Sequence, residues 1–250
     1  MRELEGKVAL VTGAGGGIGR AICRKLSSLG VLIAAVDNRM EPLQNLFEEI
    51  NYHGGKATML VGDVSSRYDV NFVISGCLRA YGRLDILINN AGINPTTPQW
   101  DSIPEKEWDD VFAVNLKGPY YCMCGASTPM KDAKWGRIIN IGSIAGKTGG
   151  LLSGLHYCAS KAALMCLTKN FARILAPHGI TVNAVAPGII ETDMTRSWPE
   201  DGKNSYLKEN PLGRMGSADE VAHAVTYLAS PAAGYVTGEI MDINGGQLMD

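Results

Sequence analysis

The chain has 250 residues, of which 46% are apolar and 19% are charged. This composition is typical of a folded globular protein and argues against a disordered, collagen-like or coiled-coil chain. Lysine and arginine number 23 and aspartate and glutamate 25, giving a net charge of −2. Because there is no basic excess, binding to nucleic-acid phosphates has no electrostatic support, and we expect no nucleic-acid partner.

The first residues and the cysteines favour a cytoplasmic protein. Residues 1–6 are charged and lead directly into a strand-like run, without the basic-then-apolar order of a secretion signal. No apolar run approaches the ~18 residues of a membrane span, so we expect no membrane partner. The six cysteines form no C-x-x-C pair and no zinc-binding spacing, which predicts buried reduced thiols and no metal site.

Short β-branched runs alternate with longer helical stretches along the chain. The strand-like runs are almost continuously apolar, as in strands that are covered on both faces. They are residues 8–12, 31–36, 57–61, 84–89, 137–141, 181–186 and 239–243. The helical windows between them are residues 19–29, 42–52, 69–81, 104–130, 155–177 and 218–230.

This alternation predicts an α/β fold with one parallel sheet. Seven strands are too few for an eight-fold barrel, so we expect a doubly wound (Rossmann) sheet of seven parallel strands with helices on both faces. No linker or repeat divides the chain, and residues 1–250 are predicted to form a single domain. Residues 188–216 interrupt the alternation with many charges and two prolines, which indicates a substrate lid.

A glycine-rich turn follows the first predicted strand and precedes the first predicted helix. Its spacing is Thr-Gly-x-x-x-Gly-x-Gly, formed by Thr12, Gly13, Gly17 and Gly19. Glycines let the backbone approach a pyrophosphate, and the N-terminus of the helix offers free N–H groups and partial positive charge. A purely structural turn is the alternative, but this context favours a dinucleotide site.

Asp37 ends the second predicted strand, 18 residues beyond Gly19. Its carboxylate could accept hydrogen bonds from the adenosine ribose hydroxyls, and it would repel a 2′-phosphate, so it favours NAD over NADP. Gly16 offers no cation for that phosphate. The guanidinium of the nearby Arg39 could bind it, so NADP remains a possible cofactor. A carboxylate that caps a turn is the alternative interpretation of Asp37.

Polar residues also follow the third and fourth predicted strands. Asp63 could bond the adenine amino group or begin a helix as its N-cap, and residues 89–92 could contact the dinucleotide or form a plain turn. Both segments lie at carboxyl ends of strands, where sheets of this kind bind ligands.

Tyr157 and Lys161 are four positions apart in a helical window and therefore share one face. A lysine ammonium stabilises phenolate, which predicts a lowered pKa for Tyr157 and a role in proton transfer. Ser143 follows the fifth predicted strand, where its hydroxyl could bond a substrate oxygen. A lysine that merely packs on a surface tyrosine is the alternative.

These motifs together resemble those of the short-chain dehydrogenase/reductases over essentially the whole chain, closest to the 3-oxoacyl-acyl-carrier-protein reductase-like branch. The resemblance includes the glycine motif, Asn89-Asn-Ala-Gly92, Tyr157-Cys-Ala-Ser-Lys161 and Asn183-Ala-Val-Ala-Pro-Gly188. It implies that Tyr157 is the general acid/base and that Lys161 binds the nicotinamide ribose. It further implies that Ser143 holds the substrate oxygen, that Asn115 holds a water of a proton relay, and that the assembly is a homotetramer.

The resemblance also implies a set of binding residues. Those for the dinucleotide are Gly13, Gly16, Gly17, Ile18, Gly19, Asp37, Asp63, Val64, Asn90, Ala91, Gly92, Tyr157, Lys161, Pro187, Gly188, Ile190 and Thr192. Those for the substrate are Ser143, Ala145, Leu152, His156, Tyr157, Met194 and Trp198, with Ile93, Asn94, Ile144 and Leu151 as further candidates for the pocket wall.

Two features differ from the carrier-protein reductases. The gap from Ser143 to Tyr157 is 14 positions, one more than expected, and Lys134 and His178 occupy positions where those enzymes use arginines to dock the acidic carrier. Our main hypothesis is therefore an oxidoreductase that transfers hydride between NAD(H) and a secondary alcohol or ketone. A polyol, a sugar, a hydroxy acid or a hydroxyacyl thioester could each be its substrate.

Two alternatives remain open. One is an NADPH-dependent 3-oxoacyl-acyl-carrier-protein reductase, since fatty-acid synthesis usually draws on NADPH. The other is a non-catalytic dinucleotide-binding regulator, which the presence of Ser143, Tyr157 and Lys161 disfavours.

Overall fold

The computed structural model describes residues 2–95, 101–150, 153–196, 198 and 200–249. The strands within this part of the chain are β1 (Val8–Thr12), β2 (Leu32–Asp37), β3 (Ala57–Val61), β4 (Ile86–Asn89), β5 (Gly136–Ile141), β6 (Ile180–Pro187) and β7 (Ile240–Ile243). They form one sheet in the order β3-β2-β1-β4-β5-β6-β7, and each neighbouring pair is parallel. The predicted seven-stranded parallel sheet is confirmed, and strand ends lie within two residues of the prediction.

Helices cover both faces of the sheet. They are α1 (Gly17–Ser27), α2 (Met40–Tyr52), α3 (Arg67–Tyr81), α4 (Glu105–Phe112), α5 (Gly118–Ala133), α6 (Ala145–Thr148), α7 (Leu155–Leu175), α8 (Asp193–Arg196), α9 (Glu200–Glu209) and α10 (Ala218–Ala229). None of these described helices is long and apolar enough to cross a membrane.

The sheet separates two apolar cores. Ala9 and Val11 of β1 face the core that contains residues of α1, α2 and α10. Val8 and Leu10 face the other core, with residues of α3, α5 and α7. Because successive strand residues point to opposite faces, a strand buried on both sides must be continuously apolar. The uninterrupted apolar runs of the sequence therefore reflect this three-layer, single-domain packing.

The predicted helix over residues 104–130 is wrong in one respect, because the structure has two helices there. A π turn, Ala113–Lys117, separates α4 from α5. A π turn inserts an extra residue into the helical path and is frequent at functional sites. Pro119 lies in the first turn of α5, where the missing N–H of proline is tolerated. The turn brings Asn115 into the interior, where it is fully buried.

The insert over residues 188–216 contains α8 and α9, so it is more structured than the sequence suggested. Its two ends meet at an isolated parallel bridge between Ile190 and Gly216. The N–H of Glu191 donates to the carbonyl of Gly216 at 2.9 Å, and the N–H of Gly216 donates to Ile189 at 2.9 Å. The two ends of the insert are therefore hydrogen-bonded to each other beside the carboxyl end of β6.

A cavity of about 760 Å³ lies at the carboxyl edge of the sheet. The sheet order reverses between β1 and β4, and a crevice forms outside the strand ends at such a point. One side of the cavity is formed by the loops after β1, β2 and β3, and the other by the loops after β5 and β6 with residues of the insert.

Candidate active site

The glycine-rich loop after β1 forms a cradle in which side chains have no room. Gly13 has a φ of +62°. A Cβ on Gly13 would lie 2.9 Å from the backbone of Ala91, and a Cβ on Gly19 would collide with the carbonyl oxygen of Gly13. Helix α1 begins at Gly17 with Gly16 as its N-cap, so its free N–H groups face this loop. The cradle fits the pyrophosphate of a dinucleotide.

Asn90 and Thr12 hold the cradle in shape. The amide of Asn90 donates to the carbonyls of Thr12 and Gly13, both at 3.0 Å. The hydroxyl of Thr12 accepts from the N–H groups of Asn90 and Ala91 at 3.0 and 3.1 Å. These bonds fasten the end of β4 to the end of β1, so the segment after β4 is more than a plain turn.

Asp37 lies at the adenosine end of the cavity and is 6% exposed. Its Oδ2 accepts from the N–H of Gly15 at 3.1 Å, and its Oδ1 accepts from the N–H of Arg39 at 3.1 Å. Arg39 Nε also donates to Oδ1, at 3.4 Å, so three of the about four acceptor positions of the carboxylate are used and one, on Oδ2, remains for a ribose hydroxyl. The Arg39 side chain lies 3.4 Å from the same carboxylate, and Arg20 is bound to Glu49 at 2.6 Å.

Asp63 follows β3 and lines the cavity with Val64. Its Oδ1 accepts from the N–H of Ser65 at 2.8 Å. The N-cap of α3 is Ser66, whose hydroxyl accepts from the N–H of Asp69. The N-cap interpretation of Asp63 is therefore wrong, because the N-cap lies three residues later, at Ser66.

Ser143 and Tyr157 form a hydroxyl pair at the opposite end of the cavity. Ser143 follows β5, and Tyr157 lies in the first turn of α7, near enough to Ser143 for that hydroxyl to influence its pKa. The N–H of Ala145 donates to Ser143 Oγ at 3.1 Å, which fixes the serine side chain. Both hydroxyls line the cavity, so a carbonyl oxygen of a ligand could contact both of them.

Lys161 lies one turn after Tyr157 and is 4% exposed. Its Nζ donates to the carbonyl of Ile141 at 2.7 Å and is 5.7 Å from the centre of the Tyr157 ring. Burial lowers the pKa of Lys161 to about 8. Burial also raises the pKa of Tyr157 to about 12, against the opposing effect of the nearby Ser143 hydroxyl. The predicted lowering of the Tyr157 pKa is wrong for the protein by itself, because desolvation of the phenol is the dominant effect.

Asn115 braces the segment beside Lys161. Its amide accepts from the N–H of Ile93 at 2.9 Å, and donates to the carbonyl of Ile93 at 2.9 Å and to Ser160 Oγ at 3.1 Å. Next to it, a Cβ on Gly92 would lie 3.4 Å from the Lys161 Nζ. The side chain thus fixes residues 92–93 against α7, and its role in holding a water stays a prediction.

The insert lines the cavity on the side that faces the glycine-rich loop. A Cβ on Gly17 would lie 2.8 Å from Cγ2 of Thr192, so the insert faces the glycine loop across the cleft. Every predicted dinucleotide residue lines the cavity except Gly19, which packs beneath Gly13.

The predicted substrate residues divide into two groups. Ser143, Tyr157, Met194 and Trp198 line the cavity, whereas Ala145, Ile144 and His156 do not. His156 is fully buried, its ring stacks on Trp108, and its Nε2 lies 3.1 Å from Glu107 Oε1.

Adjacent residues of a helix point about 100° apart, so His156 faces α4 when Tyr157 faces the cavity. Leu151 and Leu152 lie outside the described residues.

Two residues near the site were not identified from the sequence. Ser153 lines the cavity beside Asn94. Tyr206 of α9 is 4% exposed, and its hydroxyl accepts from the N–H of Ile189 at 2.8 Å. The sequence signal for Tyr206 was weak, because an aromatic residue in a charged window is usually a surface residue.

Comparison with known proteins agrees with this geometry. The family model for short chain dehydrogenase matches residues 7–203. The chain is 41% identical over 247 residues to the 3-oxoacyl-(acyl-carrier-protein) reductase FabG of Pseudomonas aeruginosa, covering 99% of each chain. It is 40% identical over 245 residues to the FabG of Aquifex aeolicus, covering 98% of each.

Among solved structures, levodione reductase superposes with a TM-score of 0.93 at 30% identity, covering 97% of this chain and 98% of that one. The structure described as gox2181 superposes with a TM-score of 0.96 at 31% identity, and the match covers 99% of this chain and 98% of that one. The chain belongs to the short-chain dehydrogenase family, and the resemblance inferred from its motifs is confirmed. It is an oxidoreductase of the class that uses a nicotinamide dinucleotide.

Proposed function

We propose that the protein reduces the 3-oxo group of an acyl thioester with NADH. The site supports carbonyl chemistry through one observation: Ser143 and Tyr157 line the same cavity as the glycine cradle. The names of the relatives support the substrate, since proteins about 40% identical over almost the whole chain are 3-oxoacyl-carrier-protein reductases. This evidence favours the substrate of the alternative in the sequence analysis, a 3-oxoacyl thioester, whereas NADH is the cofactor of the main hypothesis.

Each side chain of the site has a separate role at the reacting carbonyl. The bound dinucleotide supplies hydride to the carbonyl carbon. Ser143 donates a hydrogen bond to the carbonyl oxygen, and Tyr157 gives that oxygen a proton. A phenol with a pKa near 12 keeps its proton at neutral pH, which suits the reducing direction. Lys161 is the nearest described cation to that phenol and stabilises the phenolate left behind.

The choice of NADH depends on Asp37. A 2′-phosphate of NADP would lie beside a buried carboxylate, and like charges at short range repel. Arg20 is engaged by Glu49, and Arg39 is paired with Asp37 itself. These two arginines, which line the cavity, are therefore already paired with carboxylates.

A second candidate is NAD-linked oxidoreduction of a small secondary alcohol without a carrier protein. In the sequence, Lys134 and His178 favour it, because they replace the expected docking arginines. The structure does not add to that support, since both are exposed in the segments that precede β5 and β6, at the edge of the sheet opposite the cavity.

The remaining features of the proposal concern the whole protein. We expect the insert over residues 188–216 to act as a lid, which its bridged ends and its contact with the glycine loop support. A cytoplasmic location and a homotetramer remain predictions.

The test follows the absorbance of reduced nicotinamide with a 3-oxoacyl thioester, using NADH and NADPH in parallel. We expect turnover with NADH that is higher than with NADPH. Ser143→Ala should lower kcat by about 10²-fold, the scale of an oxyanion donor. Turnover of simple ketones but not of the thioester would favour the second candidate, and a strong NADPH preference would contradict the role given to Asp37.

A further inference from the structure

Asn94 and Ser153 form a polar pair at the substrate end of the cavity. The Nδ2 of Asn94 donates to Ser153 Oγ at 3.2 Å. Both residues line the same cavity as Ser143 and Tyr157. Because Ser143 and Tyr157 bind the reacting carbonyl in the proposed function, Asn94 and Ser153 are available to bind a different part of the substrate.

Each residue of the pair adjoins a hydrogen-bonded or helical part of the fold. Asn94 follows Ile93, whose N–H and carbonyl are both bound by the Asn115 amide at 2.9 Å. Ser153 precedes Gly154, the N-cap of α7, and lies four positions before Tyr157. A ligand group that reaches this pair therefore lies in the same cavity as the hydroxyl of Tyr157.

The pair has hydrogen-bonding capacity that the described residues do not use. Asn94 Oδ1 is buried and has no partner among them. Ser153 accepts from Asn94, which leaves the hydroxyl hydrogen of the serine without an acceptor in the described part of the chain. If the amide oxygen and nitrogen were exchanged, both hydrogens of the amide nitrogen would be unused instead. In either orientation the pair offers a donor.

We propose that Asn94 and Ser153 bind a second carbonyl oxygen of the substrate, separated by one carbon from the carbonyl that is reduced. A carbonyl oxygen accepts hydrogen bonds only, which matches the unused donor. The identity of this second oxygen rests on the proposed function: in a 3-oxoacyl thioester it is the carbonyl oxygen of the thioester. The pair thereby selects 1,3-dicarbonyl compounds over isolated ketones.

The experiment compares two substrates in wild type, Ser153→Ala and Asn94→Ala. One substrate is a short 3-oxoacyl thioester, and the other is a monoketone of equal chain length without the second oxygen. We expect each variant to lower kcat/KM for the thioester about tenfold, equivalent to about 1.4 kcal/mol. The value for the monoketone should stay within about twofold, and Ser153→Thr, which keeps the hydroxyl, should retain most of the thioester activity.

Equal losses on both substrates would overturn the proposal, because they would indicate a structural role for the pair. Unchanged kcat/KM for the thioester would overturn it as well. NADH affinity, followed by nicotinamide fluorescence, should be unchanged in all variants.

Failure of the proposed function would be recognised by a different result, the absence of thioester reduction in wild type. If wild type reduces no 3-oxoacyl thioester, the same comparison is made between a 1,3-diketone and the monoketone. If no ketone is reduced, calorimetric binding of the diketone and the monoketone to the NADH-loaded protein replaces the rates. Tighter binding of the diketone that is lost in Ser153→Ala would support the subsite, and equal binding of both would overturn it.

Discussion

At the scale of single residues, Tyr157 is the proton donor of the proposed reaction. Tyr157→Phe removes the hydroxyl and keeps the ring, so the packing of α7 should persist. We expect kcat to fall by at least about 10²-fold, the lower range for general acid catalysis. The Kd for NADH, measured by fluorescence, should change less than twofold. Near-normal turnover in this variant would refute the role of the phenol.

The cofactor preference also depends on one side chain. Asp37→Asn keeps an acceptor for the N–H of Gly15 but removes the charge. We expect kcat/KM for NADH to fall by about tenfold or more, since hydrogen bonds to charged groups contribute about 1.5–3 kcal/mol. The value for NADPH should rise, because the repulsion of a 2′-phosphate is relieved. An unchanged NADH/NADPH ratio would show that the carboxylate does not contact the ribose.

Arg39→Ala is the matched control for that experiment. The Arg39 side chain is 64% exposed and pairs with the same carboxylate. With NADH its removal should have little effect on kcat/KM. A selective loss of NADPH activity would show that Arg39 binds the 2′-phosphate.

Residue types and spacing were enough to predict the hydroxyls and the lysine of the site, but not the direction of every side chain. Tyr157 and His156 are adjacent, and only the tyrosine lines the cavity. Which face of α7 turns inward depends on packing against α4, where Glu107 and Trp108 surround the histidine. The pKa of Tyr157 was likewise predicted in the wrong direction, because burial is a property of the folded surroundings.

At the scale of secondary-structure elements, periodicity predicted strands better than helix interruptions. The strands are short and covered on both faces, so their apolar runs mark their ends clearly. The π turn at Ala113–Lys117 gave no such signal, because its residues continue the apolar pattern of a helix. The short helices α8 and α9 were missed for a different reason, since their many charges obscure any apolar stripe.

Helix α9 anchors the insert to the nicotinamide side of the cavity through Tyr206. In Tyr206→Phe, the buried N–H of Ile189 loses its acceptor, which costs about 1–3 kcal/mol. Because Ile189 lies between Gly188 and Ile190, both of which line the cavity, the segment should loosen. We expect the KM for NADH to rise about fivefold or more while kcat changes little.

Tyr227→Phe provides the control for this substitution, because Tyr227 lies on α10 and is 42% exposed. It should leave both KM and the free energy of unfolding unchanged. If Tyr206→Phe lowers stability but leaves the KM for NADH unaltered, the anchor serves folding alone and not the shape of the cavity.

At the scale of the whole molecule, the order of the strands determines where the site lies. The reversal of the sheet between β1 and β4 opens the crevice, and the carboxyl ends of β1 to β6 bring residues from distant parts of the chain together. The number and direction of the strands could be predicted from their alternation with helices. The bridge between Ile190 and Gly216 could not, because it joins two positions that no periodic pattern relates.

Burial of thiols throughout the domain should make its stability sensitive to alkaline pH. Burial raises the pKa of Cys122 from 9.0 to about 12, and burial together with the charge of Asp85 raises that of Cys77 to about 12. Between pH 9 and 12 the unfolded chain loses protons that the native protein keeps, so the free energy of unfolding falls as pH rises. Each fully buried thiol should contribute a loss of up to about 2 kcal/mol at about pH 10.5.

Lys161 acts in the opposite direction over part of this range. Its pKa is lowered to about 8 in the native protein from 10.5, so the unfolded chain binds more protons between these values and stability rises with pH there. Tyr157, whose pKa is raised from 10.0 to about 12, adds to the loss above pH 10. The two thiols with Tyr157 outnumber the lysine, so we expect a net decrease.

Urea unfolding at several values between about pH 9 and pH 10.5, in reductant and at fixed protein concentration, measures this slope. Cys122→Ala should flatten the decline, whatever the substitution costs in packing, because the comparison is between slopes. Cys166→Ala is the matched control, since Cys166 lies on α7 but is exposed, and the slope should match wild type. If Cys122→Ala declines as steeply as wild type, ionisation of the buried thiol does not limit the alkaline stability of the domain.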